Sequence, residues 1–214
     1  MTRVKICGIA RVADARLAAE AGASAIGLVF WPGSTRCLTV DRAKEIVLAL
    51  AGTGVTTVGV FVDQLPHFVE GVAKGARLDA IQLHGHENVA AYEFGLPILK
   101  SVAVGAGWRA DALRDLSPHV LPLLDAQDEA RKGGTGTTID WTAAAAGASL
   151  RRIALAGGLT PDNVAGAIAS VSPYAVDVSS GVEARPGVKD ANLVRAFLDA
   201  VRGRSGVVPQ GLFA

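Results

Sequence analysis

The sequence predicts an α/β fold, a single (β/α)₈ TIM barrel. Three observations carry that expectation: eight short apolar runs, a segment of helical period after each, and Gly-rich loops late in the chain. The runs are VKICGI (4–9), AIGLVF (25–30), TTVGVFV (56–62), AIQLHG (80–85), ILKSVAV (98–104), VLPLLDA (120–126), RIALAGG (152–158) and AVDVSSG (175–181). They are continuous rather than alternating in hydrophobicity, as suits strands covered on both faces of a parallel sheet. A spacing of roughly 20–30 residues leaves room for one helix and two short loops per unit. An open doubly wound sheet would instead place a Gly-rich turn after its first strand; the loop here is CGIAR, without G-x-G-x-x-G.

The intervening helices are predicted over 14–21, 41–51, 67–74, 87–94, 108–116, 141–146, 161–169 and 190–201. Thr160-Pro161 reads as an N-cap followed by proline at the first helical position, and Val40-Asp41 as an acidic start. Gly22 and Gly75 read as helix stops. Residues 1–203 then form one barrel domain. The stretch 204–214, with Gly, Ser and Pro and no periodicity, is predicted to be peripheral.

Composition narrows the function. At 214 residues the chain suits one domain with a sizeable core. A net charge of +1 with scattered Lys and Arg argues against a nucleic-acid or membrane surface built on bulk charge. No apolar run approaches the roughly 18–20 residues that span a bilayer, and the N-terminus lacks a signal-peptide pattern, so a cytoplasmic location is expected. Two cysteines, Cys7 and Cys37, are expected as free thiols. Four histidines form no metal-ligand spacing, so no metal site is expected.

In such barrels chemistry sits at the C-terminal ends of the strands. The residues there are Lys5 and Cys7, Arg36 on the second loop, Asp63, Gln82 and His84, Asp125, Gly157 and Gly158, and Asp177 with Ser179, Ser180 and Gly181. Two Gly-rich loops after strands 7 and 8, AGGLTPDN and DVSSGVE, suit a phosphate, since glycine lets backbone N–H groups approach an anion closely. A free cysteine is more often a small buried hydrophobe. Strand alternation, however, puts Cys7 on the same face as Lys5, whose ammonium would favour a thiolate able to take a proton. Asp125 ends an apolar run and is either a loop anchor or a carboxyl facing a polar cavity. The loop after it, AQDEARKGGTGTTIDW, is long and Gly-rich, as lids often are. Gln82, His84, Asp177 and Asp63 suit either substrate contact or anchoring of the rim. Arg36 could form a bidentate pair with a carboxylate.

These motifs together resemble the phosphoribosylanthranilate isomerases of tryptophan biosynthesis. The resemblance rests on KICGI at 5–9, QLHG at 82–85, LLDA at 123–126, GGTG at 133–136, DW at 140–141, AGGLTPDNV at 156–164, DVSSGVE at 177–183 and PGVKD at 186–190. It implies an Amadori rearrangement of N-(5-phosphoribosyl)anthranilate by acid–base catalysis, with no cofactor, in a monomer or homodimer acting on a small phosphorylated substrate. It further implies Cys7 as the general base, Asp125 as the general acid and Arg36 as the partner of the anthranilate carboxylate. Gln82, His84 and Asp177 become further substrate contacts, and Gly157, Gly158, Ser179, Ser180 and Gly181 the phosphate site. The chain departs from the family around Arg36, reading Ser34-Thr35-Arg36-Cys37 where Ser-Pro-Arg-Tyr is common. Two alternatives stay open at this point. One is the related isomerase of histidine biosynthesis, which has an Asp where Cys7 stands; the other is a non-catalytic barrel that binds sugar phosphates.

Overall fold

The structure, a computed structural model, describes residues 1–126, 139–203 and 210–213. Each apolar run forms a strand: β1 Arg3–Ile6, β2 Ala25–Val29, β3 Thr56–Phe61, β4 Ala80–Leu83, β5 Ile98–Val104, β6 Val120–Ala126, β7 Ala154–Leu155 and β8 Ala175–Val178. They pair in chain order, all parallel, and β8 pairs with β1 to close the barrel. A two-stranded antiparallel hairpin, β9 (Glu183–Arg185) and β10 (Val188–Lys189), follows β8.

The strands bury both faces, which is why their hydrophobicity is continuous. Outward residues such as Val4, Ile6, Ile26, Leu28, Ile81, Leu83, Leu155 and Val176 pack in the layer beneath the helices. Inward residues form a separate core of small side chains, Ala25, Ala80, Ala154 and Ala175, filled by Val58, Leu99, Leu121 and Leu123. Period-2 alternation carries each inward row upward to the rim. Leu123 leads to Asp125, Ala80 to Gln82 and His84, and Ala175 to Asp177 and Ser179. The site is therefore the top layer of the barrel's own interior.

Helices α1 (Val12–Glu20), α2 (Val40–Ala49), α3 (Pro66–Ala76), α4 (Trp141–Leu150), α5 (Val164–Val171) and α6 (Ala191–Arg202) cover the outside. The two helices expected over 87–94 and 108–116 are instead short 3₁₀ turns, Val89–Tyr92 and Ala110–Asp115. In the first, Gly95 (φ 87°) and Pro97 follow at once, leaving too few residues to recover the cost of nucleating an α-helix. Helix α5 starts three residues later than Thr160-Pro161 suggested, because Asn163 accepts from the Thr160 N–H and donates to the Gly158 carbonyl, holding 160–163 as a turn. Gly22 (φ 90°) does follow the end of α1, whereas α3 runs through Gly75 and stops at Arg77, itself left-handed. No helix among the described residues is long and apolar enough to cross a membrane.

The C-terminal stretch corrects the sequence expectation over 210–213. Leu212 is fully buried in the inward core, closing the barrel floor opposite the rim. Its N–H donates to Thr56 Oγ1 at 2.9 Å, and its carbonyl accepts from the Tyr174 hydroxyl at 2.9 Å. Arg3 Nε donates to the Gly211 carbonyl at 3.0 Å, and the Arg3 guanidinium also lies 4.5 Å from the centre of the Tyr174 ring. A single apolar residue in a polar, Gly-rich stretch carries no period, so its burial has no signature in the sequence. Leu212→Ala is expected to destabilise the protein by about 2–5 kcal/mol, read as a lower urea midpoint. The rim, and so the site, should be unaffected in folded protein.

Candidate active site

A cavity of about 430 Å³ opens at the C-terminal ends of the strands. Cys7, Arg36, Gln82, His84, Asp125, Gly157, Gly158, Asp177, Ser179, Ser180 and Gly181 all line it, whereas Lys5 and Asp63, also expected at the strand ends, do not. The lid expected around GGTG at 133–136 lies outside the described residues. Asp63 anchors the rim instead: its carboxylate accepts from the His86 N–H at 2.6 Å. Cys37 is exposed, a free thiol like Cys7.

At the floor of the cavity, Lys5 Nζ donates to Asp177 Oδ1 at 2.9 Å, both side chains being almost inaccessible to water. A buried ion pair of this kind survives only when each charge is matched. Burial works against the Lys5 ammonium, but Asp177 and Cys7 outweigh it and raise its pKa. Gly27 on β2 makes the room, since a Cβ there would stand 2.6 Å from Cys7 Sγ and 3.2 Å from Lys5 Nζ. The thiol itself differs from expectation. Burial pushes the Cys7 pKa above the ordinary thiol value; Lys5 pulls it down but not enough. Asp177 adds to the effect of burial, so no resting thiolate is set up.

Across the cavity, burial lifts the Asp125 pKa to about 6, while the Ala126 N–H, donating to Oδ1 at 2.8 Å, pulls partly back. Burial and the nearby Lys5 hold the His84 pKa down to about 4, so the imidazole is neutral at neutral pH. His84 Nε2 lies 3.7 Å from Asp125 Oδ2, too far for a hydrogen bond, and with a neutral ring this is no ion pair. Gln82 Nε2 approaches His84 Nδ1 at 3.1 Å. An amide nitrogen only donates, so Nδ1 accepts and the ring proton sits on Nε2, facing Asp125. Gln82 Oε1 is buried without a hydrogen-bond partner beside this wall of the cavity. The loop carrying His84 is itself tied down. Glu87 accepts from the Gly85 and Asp63 N–H groups and pairs with Lys100 at 2.8 Å.

The opposite wall is made by the loops after β7 and β8. Gly157 has φ 82° and Gly158 φ 62°, left-handed conformations that favour glycine. At Gly181 a Cβ would lie 2.0 Å from the Leu159 carbonyl oxygen, so the two loops touch backbone to backbone. Such close glycine backbone with serines alongside suits an anion. Cys7, Val29, Val60 and Trp31 form an apolar patch on the remaining side.

Comparison with known proteins agrees with this geometry. The model of the N-(5'phosphoribosyl)anthranilate (PRA) isomerase family matches residues 4–200. The chain belongs to that family. It is 48% identical over 202 residues to the N-(5'-phosphoribosyl)anthranilate isomerase of Pseudomonas fluorescens, covering 94% of this chain and 98% of that one. The Geobacter sulfurreducens enzyme is 45% identical over 208 residues, with 95% and 100% covered. The crystal structure of the Thermus thermophilus isomerase superposes with a TM-score of 0.86 at 37% identity, covering 95% of this chain and all of that one. An isomerase solved with reduced 1-(o-carboxyphenylamino)-1-deoxyribulose 5-phosphate superposes at 0.82 and 36% identity, with the same coverage. In this isomerase a cysteine, Cys7, directly follows strand β1.

Sequence reasoning missed four parts of the site. Gly27 looks like any apolar-strand glycine until Cys7 is placed beside it. Trp31 has no periodic signal. Glu183 and Lys189 lie in the SSGVE and PGVKD motifs, but nothing local shows that both turn toward Arg36. Among the described residues no group of three or more His, Cys, Asp or Glu side chains is arranged to hold a metal.

Proposed function

We propose that this chain converts N-(5-phosphoribosyl)anthranilate into 1-(2-carboxyphenylamino)-1-deoxyribulose 5-phosphate in the cytoplasm, as a step of tryptophan biosynthesis. Cys7 is the base and Asp125 the acid. The observation that carries the reading is a thiol and a carboxyl of raised pKa facing one cavity, beside an anion-binding pair of loops.

In this reading Asp125 gives its proton to the furanose ring oxygen as the C1′–O bond breaks and the nitrogen lone pair forms C1′=N. Cys7 then removes the C2′ proton, and the released electron pair makes the C1′=C2′ enolamine. Asp125 takes the proton that the C2′ hydroxyl loses and Cys7 returns its own to C1′, giving the ketone and restoring both groups. C2′ is oxidised as C1′ is reduced within one molecule, so no redox partner is needed. Asp177 and Gln82 contact sugar hydroxyls, and His84 Nε2–H faces Asp125 from the side. Gly157, Gly158, Ser179, Ser180 and Gly181 hold the phosphate, fixing the far end of the sugar. Arg36 takes the anthranilate carboxylate. The substrate is a small phosphorylated molecule, and the protein acts as a monomer or homodimer without nucleic acid or membrane.

The test is loss of N-(5-phosphoribosyl)anthranilate fluorescence on adding the purified protein, coupled to the next enzyme of the pathway. No turnover, or efficient turnover of the histidine-pathway aminoaldose instead, would sink the assignment. Gly181→Ala should raise KM for this substrate and weaken competitive inhibition by inorganic phosphate, because its Cβ meets backbone that cannot yield. Overpacking of this kind costs about 1–3 kcal/mol, so the melting temperature should fall as well.

A further inference from the structure

The chemistry above leaves the SSGVE and PGVKD motifs without a task beyond their serines and Gly181. Their charged residues converge on Arg36. Glu183, at the start of β9, accepts from Arg36 Nε at 2.8 Å through Oε1 and from Nη2 at 2.6 Å through Oε2. The Glu183 side chain is only 4% exposed. A bidentate fork of this kind fixes both the plane and the direction of a guanidinium. The stem is confined too: a Cβ on Gly8 (φ 72°) would stand 2.5 Å from Arg36 Cδ, so the chain crosses directly over Gly8 beside Cys7.

Glu183 is itself held. In the hairpin, Lys189 is the register partner of Glu183, and its Nζ donates to Oε1 at 2.9 Å and to the Ser179 carbonyl at 3.0 Å. The Gly187 N–H, in the turn, donates to the same Oε1 at 3.3 Å. Two cations thus share one carboxylate, leaving the cluster with a net positive charge at the cavity wall. The Nη1 side of Arg36 makes no hydrogen bond with another described residue, and Arg36 lines the cavity.

We infer that Glu183 is a positioning residue: it clamps the inner edge of Arg36, with Lys189 balancing its charge, so that the outer edge presents a preset fork to the carboxylate of the substrate's aromatic acid. The hairpin β9–β10 brings Lys189 opposite Glu183. The inference rests on the proposed function, because it takes the ligand of Arg36 to be that carboxylate. Without the clamp, the long Arg36 side chain regains rotamer freedom that must be lost on binding, which weakens affinity rather than chemistry.

The experiment compares two substrates: N-(5-phosphoribosyl)anthranilate and its carboxylate-free analogue, formed by condensing aniline with ribose 5-phosphate. In Glu183→Gln, KM for the first should rise by about tenfold or more, with kcat changed by less than about threefold. KM for the analogue should stay near the wild-type value. In an Arg36→Met background, Glu183→Gln should add little further loss for the first substrate, as coupled groups do. If Glu183→Gln does not fold, Glu183→Asp keeps the charge but retracts the carboxylate by one methylene, and should show the same selective loss. Equal losses on both substrates, or a loss in kcat alone, would overturn the inference while leaving the function standing. A wild-type protein inert toward both would overturn the function, and this inference with it.

Discussion

Asp125→Asn should lower kcat by about 10²–10⁴-fold while substrate still binds. The substitution keeps the shape of the side chain and an acceptor for the Ala126 N–H, so the fold of the rim is not at stake. Among the described residues of the cavity, it removes the group placed to carry a proton near neutral pH. His84 cannot replace it as an acid, since burial holds its pKa at about 4 and the ring is neutral where the enzyme works. Kd by anthranilate fluorescence and kcat by the coupled assay separate the two effects. Near-wild-type kcat in this variant would remove Asp125 from the chemistry. Loss of binding in proportion to kcat would make it a binding group instead.

The barrel was legible because its strands are buried on both faces and so write themselves as continuous apolar runs. The rim was legible for a related reason: inward rows that begin with Ala or Leu end in Gln82, Asp125 and Asp177, and polar residues at the end of an apolar run need a cavity to face. What the sequence hid depends on contacts across the barrel. Lys5 and Asp177 lie 172 positions apart, and Arg36 and Glu183 lie 147 apart. Lys5 was read as an ammonium acting on Cys7; it pairs with Asp177 on β8, and burial of the thiol, with Asp177 adding to it, reverses the expected direction of the Cys7 pKa. The two short 3₁₀ connectors show the converse limit. Apolar periodicity over 87–94 was real and Tyr92 is buried, but Gly95 and Pro97 leave no length for an α-helix. Where local pattern and chain length disagree, length decides.

Cys7→Ala should also reduce kcat by about 10²–10⁴-fold, and the pH dependence of the residual rate tests the pairing of roles. The productive enzyme carries one proton in the pair, on Asp125 and not on Cys7. The structure favours the other arrangement, thiol with carboxylate, because the Asp125 pKa of about 6 lies below that of a thiol pushed up by burial. Both one-proton forms rise and fall together with pH, so their ratio is fixed while their sum changes. In the wild type, kcat/KM should therefore fall below pH about 6, where the pair takes up a second proton, and fall again above the thiol pKa, where it loses its only one. Each variant should show a single limb, opposite in direction to the wild-type limb at the same pKa. Cys7→Ala still needs a protonated Asp125, so its residual rate should decline as pH rises through about 6. Asp125→Asn still needs the thiolate, so its residual rate should climb with pH toward the thiol pKa. Phosphorus NMR gives the ionisation of the substrate phosphate separately, so that its titration is not mistaken for that of the enzyme. A wild-type profile already falling between pH 6 and 8 would mean that Cys7 titrates below the ordinary thiol range, contrary to its burial. Residual rates with the two limbs exchanged would reverse the roles of acid and base.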